Sequence, residues 1–347
     1  MLPLDGITVL DLTRLLPGAA ASQTLSAFGA DVIKIEEPGV GDYARNSAVL
    51  GGVDMFAETN RNKKSVELNL KDPADKSAFL ALATSADIVL EGYRPGVMDR
   101  LGLGFETLRE TNPRLIYAAI SGYGQTDEKA LAAGHDINYM ATAGVLDLIG
   151  ARDGAPAIPG IQIADLAAGA MQAVTGILLA LLARQKSGRG QFVDASMTDG
   201  LASLLTIPLA SLKAGKPWRR GAETLCGKYP CYNVYETADA RWVAVGALEP
   251  KFWAALCRAL GVPDLIPLQY TEDGRAAAGL ATFFRSKPLD GWAGLFENPQ
   301  ACVTPVLTLA EAIARKPLAI QPVLSDTPGR LDQPAPELGA QNHLRNP

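Results

Sequence analysis

Ile7-Thr8-Val9-Leu10-Asp11-Leu12, then Pro17-Gly18, then residues 19–28, then Asp31-Val32-Ile33-Lys34-Ile35 is the stretch that decides the fold. The first run is apolar and β-branched and reads as a strand. Pro17 and Gly18 turn the chain. Residues 19–28 read as a helix closed by Gly29, and residues 31–35 as the next strand. Outward from there the pattern repeats. Residues 66–70 form a strand and 73–85 a helix, and residues 87–90 and 115–120 are further strands. After Gly188-Arg189-Gly190 come a strand at 191–195 and a helix at about 198–212. Strands alternating with helices imply βαβ units and a mainly parallel, Rossmann-like sheet in an α/β fold.

The second part reads differently. Residues 213–229 carry Gly, Pro and several charges and look like a linker. Residues 231–246 alternate apolar and polar around Ala238-Asp239-Ala240, which predicts a β-hairpin. Amphipathic helices are expected near 251–260 and 274–284. The organisation predicted is a large α/β domain over 1–212, a linker over 213–229 and a smaller α+β domain over 230–316. The tail from 317 to 347, rich in Pro and polar residues, completes the large domain.

The chain has 347 residues, 48% of them hydrophobic and 20% charged, which excludes a disordered protein. Lys+Arg 32 against Asp+Glu 37 gives a net charge of −5 and no basic stripe, so a nucleic-acid partner is not expected. The small cluster Arg61-Asn62-Lys63-Lys64 could hold phosphates of a small ligand. The four cysteines, Cys226, Cys231, Cys257 and Cys302, form no C-x-x-C, and there are two histidines, so no metal site is expected. Scattered cysteines and an N-terminus without a signal-like segment fit the cytoplasm. Residues 166–183 carry no charge and reach the lower length limit of a membrane span. Gln172, Thr175 and two glycines weaken that reading, and a helix buried on all sides in a core is expected instead.

There is no G-x-G-x-x-G after a strand, no Walker A and no G-x-S-x-G elbow. His135 lies in Gly134-His135-Asp136-Ile137-Asn138-Tyr139. It is either a packed residue at a helix N-terminus capped by Asp136 or a general acid/base. Asp165 opens the uncharged helix. It is either a first-turn acid favoured by the helix dipole or a base or nucleophile facing a pocket. Glu249 follows an apolar strand and is either a surface residue or a carboxylate that orients a histidine.

The run Leu4–Leu12 with Pro17-Gly18, Gly29–Glu36, Gly41-Asp42, Asn60-Arg61-Asn62-Lys63-Lys64-Ser65, the segment from Tyr93-Arg94-Pro95-Gly96 to Gly102, and Ser187-Gly188-Arg189-Gly190-Gln191 resemble the family III CoA-transferases of CaiB/BaiF type. Within the family, Gly134 to Tyr139, residues 230–252 and residues 301–306 look most like its racemase branch, which acts on 2-methylacyl-CoA thioesters. The resemblance implies that His135 and Asp165 are acid/base partners on opposite faces of the substrate α-carbon, with Glu249 orienting His135. It implies CoA, as part of the substrate and with no other cofactor, along Leu68, Leu70, Lys71, Gly92, Tyr93, Arg94 and Arg100, with Leu15 and Tyr139 near the pantetheine arm. It also implies an interlocked homodimer. Several members carry arginine where this chain has Glu37. Backbone N–H groups at the start of the Asp165 helix are expected to stabilise the enolate oxygen. The alternatives are CoA transfer through covalent intermediates on Asp165 and a non-catalytic acyl-CoA-binding role.

Overall fold

The computed structural model describes residues 1–345 except 47, 49, 50, 317 and 318. The chain divides into two units. Met1–Leu146, Ile158–Thr206 and Ala319–Pro347 form the first, and Asp147–Ala157 and Ile207–Leu318 the second. Residues 213–229, read as a linker, therefore group with the second unit, and so does the short insertion Asp147–Ala157. Arg220 is the reason. It donates to the Asp147 carboxylate and to the Ala151 and Gly154 carbonyls, tying the two segments together. Residues 317, 318, 346 and 347 of the expected C-terminal completion lie outside the described residues.

The first unit holds six strands: β1 (Thr8–Asp11), β2 (Asp31–Glu36), β3 (Lys64–Glu67), β4 (Ile88–Glu91), β5 (Ile116–Ser121) and β6 (Phe192–Ser196). All pairs are parallel, and the order is β3-β2-β1-β4-β5-β6. The chain starts in the middle, winds outward to β3, then returns to β4 beside β1. That reversal opens a crevice at the carboxyl ends of β1 and β4, where sheets of this order bind ligands. β3 lies two residues earlier than the apolar run suggested, because Lys64 and Ser65 take the ladder positions opposite Ile33 and Lys34.

Among helices of ten residues or more, the first unit has α1 (Leu15–Ala27), α2 (Pro73–Ser85) and α3 (Met171–Ser187). α1 starts four residues earlier than expected, with Pro17 and Gly18 in its first turn, where a proline loses no helical hydrogen bond. A Cβ on Gly18 would lie 2.2 Å from that of Thr13, so only glycine lets the helix start sit against the β1 loop. α2 is capped by Asp72, whose side chain accepts from the amides of Ala74 and Asp75, with Pro73 at the first position. Its Phe79, Leu82 and Ala83 pack with Leu10, Ile33 and Val89 of the sheet.

α3 continues the segment Ala164–Ala170 and corrects the expectation of burial on all sides. Ala173, Ile177, Ala180 and Leu181 are buried, but Met171, Leu178, Leu179 and Leu182 are exposed. Among the described residues, Ala164–Ser187 is the one helix long and apolar enough to cross a membrane. The helix expected at 198–212 is broken into Met197–Gly200, a 3-10 turn Leu201–Leu205 and Thr206–Lys213.

β3 is an edge strand, and the C-terminal tail covers it. Gln341 donates its amide to the Ser65 carbonyl, and its side chain accepts from the Ser65 amide. Asn342 accepts from the Glu67 amide and donates to the Glu67 carboxylate. The tail also uses up part of the basic cluster at 61–64. Arg61 bonds the Leu331 carbonyl, Lys63 is buried and Lys64 pairs with Asp31 at 2.8 Å, so these residues do not form a phosphate site.

The second unit holds β7 (Tyr232–Glu236), β8 (Trp242–Gly246) and β9 (Val303–Pro305), all antiparallel, with α4 (Pro250–Ala259) and α5 (Arg275–Phe284). The hairpin turns where expected, and β9 extends it to a third strand outside the expected elements. Trp253, Leu256 and Cys257 of α4 and Leu280 and Phe284 of α5 share one core with Val243, Val245 and Val303.

Candidate active site

Three cavities line the carboxyl ends of the parallel strands. One, of about 580 Å³, is bordered by Arg14, Glu37, Leu68, Leu70, Lys71, Tyr93 and Arg100, among others. A second, of about 400 Å³, is bordered by Arg14, Leu15, Gly134, His135, Tyr139 and Asp165. A third, of about 260 Å³, is bordered by Tyr93, Arg94, Gly122, Gly134, His135 and Tyr139. Shared walls join them: Arg14 belongs to the first two, Tyr93 to the first and third, and His135 and Tyr139 to the last two. The structure thus brings together His135 with Asp165, and Leu68, Leu70, Lys71, Tyr93 and Arg100 with one another. Gly92 turns the chain between Glu91 and Tyr93 but lines none of these cavities. Glu249 is carried by the second unit, as the exposed residue that starts α4.

His135 is exposed and precedes the helix Asp136–Thr142. Its amide donates to the Asn138 side chain at 3.1 Å. Histidine, not Asp136, therefore occupies the capping position, which leaves the imidazole free of the core. The ring of Tyr139 is anchored beneath by its hydroxyl, which donates to the Gly134 carbonyl at 2.6 Å, and by edge-on contact with Tyr123 at 5.2 Å.

Asp165 sits in the first turn of a π-helical segment, Ala164–Ala170, that feeds into α3. Such widened turns are rare and recur at functional sites. The Asp165 amide donates to the Asp136 carboxylate at 2.9 Å, and the Leu166 amide to the Gln162 carbonyl at 3.1 Å. These two amides are spent, so neither is among the helix-start N–H groups open to an oxyanion. Burial raises the Asp165 carboxyl to about 6; the Asp136 charge pushes the same way and His135 opposes it. Asp136 was read only as a helix cap. Its place beside the histidine in sequence was the available signal.

Beneath the β1 loop lies a buried charge cluster. Lys34 is 2.9 Å from Asp42 and 3.8 Å from Asp11, and Lys63 is 3.4 Å from Asp11. Burial opposes charge on Asp11, but the two lysines and the hydroxyls of Ser22 and Thr13 outweigh it and hold the carboxyl below its usual range. Burial pushes Lys63 down to about 7. The cluster also shapes the loop. Lys34 donates to the Thr13 carbonyl, and Asp42 accepts from the Leu15 amide, both at 2.9 Å. Leu15 is thereby held at φ +62, a conformation that is strained for a branched side chain. The signal in the sequence was a charge next to apolar residues in each strand, Asp11 after Val9-Leu10 and Lys34 between Ile33 and Ile35. At the end of β4, Glu91 accepts from the Tyr93 amide at 2.6 Å, and burial raises it to about 8.

The chain matches the model of CoA-transferase family III over residues 4–341 and belongs to that family. It is 39% identical over 315 residues to the alpha-methylacyl-CoA racemase of Homo sapiens, covering 89% of this chain and 79% of the relative. It is 31% identical to the succinyl-CoA:glutarate CoA-transferase of Mus musculus, covering 97% and 80%. The crystal structure of a CAIB/BAIF family protein from Brucella suis superposes with a TM-score of 0.84 at 27% identity, over 99% of this chain and 98% of that one.

Proposed function

We propose that the protein interconverts (R)- and (S)-2-methylacyl-CoA thioesters by moving the α-proton from one face of the carbon to the other. The observation that carries this reading is that His135 and Asp165 line one cavity, with Asp165 raised to about 6, towards the range of an imidazole. One residue removes the proton, and the C–H electron pair enters the enolate. The other, protonated, donates to the opposite face of the α-carbon as the thioester carbonyl re-forms. The roles exchange in the reverse direction, so one pair serves both epimers. CoA is the only cofactor the chemistry asks for, and no metal takes part. It lies along Leu68, Leu70, Lys71, Gly92, Tyr93, Arg94 and Arg100, with Leu15 and Tyr139 beside the pantetheine arm.

The working form is an interlocked homodimer in which the partner subunit's Glu249 orients His135. The exposed apolar face of α3 supports this. Met171, Leu178, Leu179 and Leu182 recur at helical spacing with Met171, Leu179 and Leu182 about 60% exposed, and a second copy would cover them. All four cysteines are free thiols, in keeping with a reducing cytoplasm. A second reading, favoured by the similarity to transferases, has Asp165 attack the thioester carbonyl and pass through an aspartyl-CoA thioester. It leaves His135 without a task.

Incubation with (R)-2-methyldecanoyl-CoA in D₂O, without an acceptor acid, separates the two. Racemisation predicts one deuterium gained at the α-carbon and appearance of the S epimer. His135→Ala and Asp165→Ala should each lower this at least about 10²-fold while CoA still binds. Full activity in either variant overturns the pair. No exchange, together with new acyl-CoA species when carboxylic acids are added, establishes the transferase.

A further inference from the structure

Two carboxylates, Glu36 and Glu37, line the 580 Å³ cavity, and neither by itself suits a guest bearing phosphates. Its lining combines aliphatic side chains, including Ile35, Leu68 and Leu70, with the cations Arg14, Lys71 and Arg100, yet Glu37 stands among them. The neighbouring Glu36, by contrast, is committed. It holds Arg45 at 2.7 Å and accepts from Ser65 and from the Asp42 amide. Glu37 follows β2 directly. In dinucleotide-binding sheets of this order an acidic residue there hydrogen-bonds a ribose hydroxyl, and Glu37 holds the like place here without the glycine-rich loop those sheets carry.

Glu37 is also tied down. Its carboxylate lies 3.2 Å from the Arg14 guanidinium. Arg14 donates to the Tyr43 hydroxyl at 2.7 Å and lies 4.8 Å from the Tyr43 ring centre and 5.5 Å from that of Tyr93. A phosphate near this pair meets attraction and repulsion at similar distances, so the two largely cancel. Lys71 and Arg100 have no ion-pair partner among the described residues, and they are left to hold phosphate.

We propose that the Glu37–Arg14 pair sets nucleotide specificity: Glu37 accepts the hydrogen bond of the ribose hydroxyl, and the pair cancels the attraction that would otherwise distinguish CoA from its 3′-dephospho form. This inference rests on the CoA reading above. It makes the chain a reader of the ribose and the diphosphate, indifferent to the third phosphate.

Calorimetric titration of the full chain with free CoA and with 3′-dephospho-CoA tests it without any need for turnover. The unaltered chain should bind the two within about threefold of each other, because the pair is neutral as a whole. Glu37→Gln should shift the ratio in favour of CoA by on the order of fivefold, and more at low salt, because one carboxylate at the phosphate has been removed from a half-exposed site. The double substitution Arg14→Gln with Glu37→Gln removes one charge of each sign and should return the ratio to its starting value. A ratio that Glu37→Gln leaves unchanged, or an unaltered chain that already prefers CoA by about a hundredfold, overturns the proposal and leaves the CoA reading standing. Failure of the unaltered chain to bind either nucleotide overturns both.

Discussion

The two units solve the problem of a core in opposite ways. The first buries Asp11, Lys34, Glu36, Asp42, Lys63, Glu91 and Arg184. The second buries no charged residue among those described; its buried polar residues are Thr237 and Gln269, and its centre is Trp253, Leu256, Leu280 and Phe284. Buried charges are costly unless paired, and replacing a buried pair with apolar residues is often neutral or stabilising. The cluster of Asp11, Lys34, Asp42 and Lys63 beneath the crevice therefore points away from stability and towards shape. The Asp11–Lys34–Asp42 cluster fixes the left-handed Leu15, and Asp136 fixes the turn that carries Asp165. The second unit carries Glu249 at the start of α4, a helix that begins with Pro250 and packs on an apolar core without buried charges.

The strongest way to break this comparison is to make the same kind of substitution in each unit. Lys34→Met leaves Asp11 and Asp42 buried with one cation fewer and should cost about 3–5 kcal/mol. Leu280→Met, a volume-conserving change in the second core, should cost less than about 1.5 kcal/mol. Midpoints of denaturant unfolding measure both. Equal small costs would show that the charge cluster is ordinary packing.

The same contrast explains what was legible in the sequence. Alternating strands and helices predicted the parallel sheet because βαβ units leave a periodic trace, and the amphipathic helices of the second unit were read within a residue. The π-helical turn at Asp165 left no such trace, since Ala164-Asp165-Leu166-Ala167-Ala168-Gly169 is compatible with an ordinary helix. Nor did the pairing of Asp165 with Asp136, which the sequence separates by 29 residues. The exposed face of α3 is not legible because alanine and leucine continue around the helix, so an exposed apolar stripe looks like one that packs in a core. β9 was missed because a strand of three residues is too short to show alternation.

Titration sharpens the comparison further. Burial holds the Asp165 carboxyl near 6, above the 3.8 of an exposed aspartate, so between those two values the folded state keeps it protonated where the unfolded chain does not. Below the lower value both states are protonated and the residue costs nothing. As pH rises through that window the unfolded chain ionises first, and above about 6 the carboxylate destabilises the fold. Asp165→Asn should therefore raise the unfolding temperature at pH 8, by about 2–3 kcal/mol of stability, and leave it unchanged at pH 3. With Asp165 in the role proposed above, the gain should accompany loss of activity, the exchange expected where a buried charge serves function at the expense of stability. Equal stability at both pH values would mean that the turn around Asp165 is solvated enough to carry the charge freely.

The smallest effect tests whether the tail belongs to the same framework. Asn342 makes two hydrogen bonds with Glu67, at 2.8 and 2.9 Å, on the open edge of β3. Asn342→Ala should cost about 1–2 kcal/mol, since each such bond contributes roughly 1 kcal/mol. β3 leads directly into Leu68, Leu70 and Lys71, three residues of the 580 Å³ cavity, so a loosened edge should also weaken CoA binding a few-fold. Hydrogen exchange at the Ser65 and Glu67 amides reads the first effect and titration with CoA the second. Faster exchange with unchanged affinity would make the tail a cover for a free edge and nothing more. Both changes together would extend the framework beneath the crevice from the buried charges out to the last strand of the sheet.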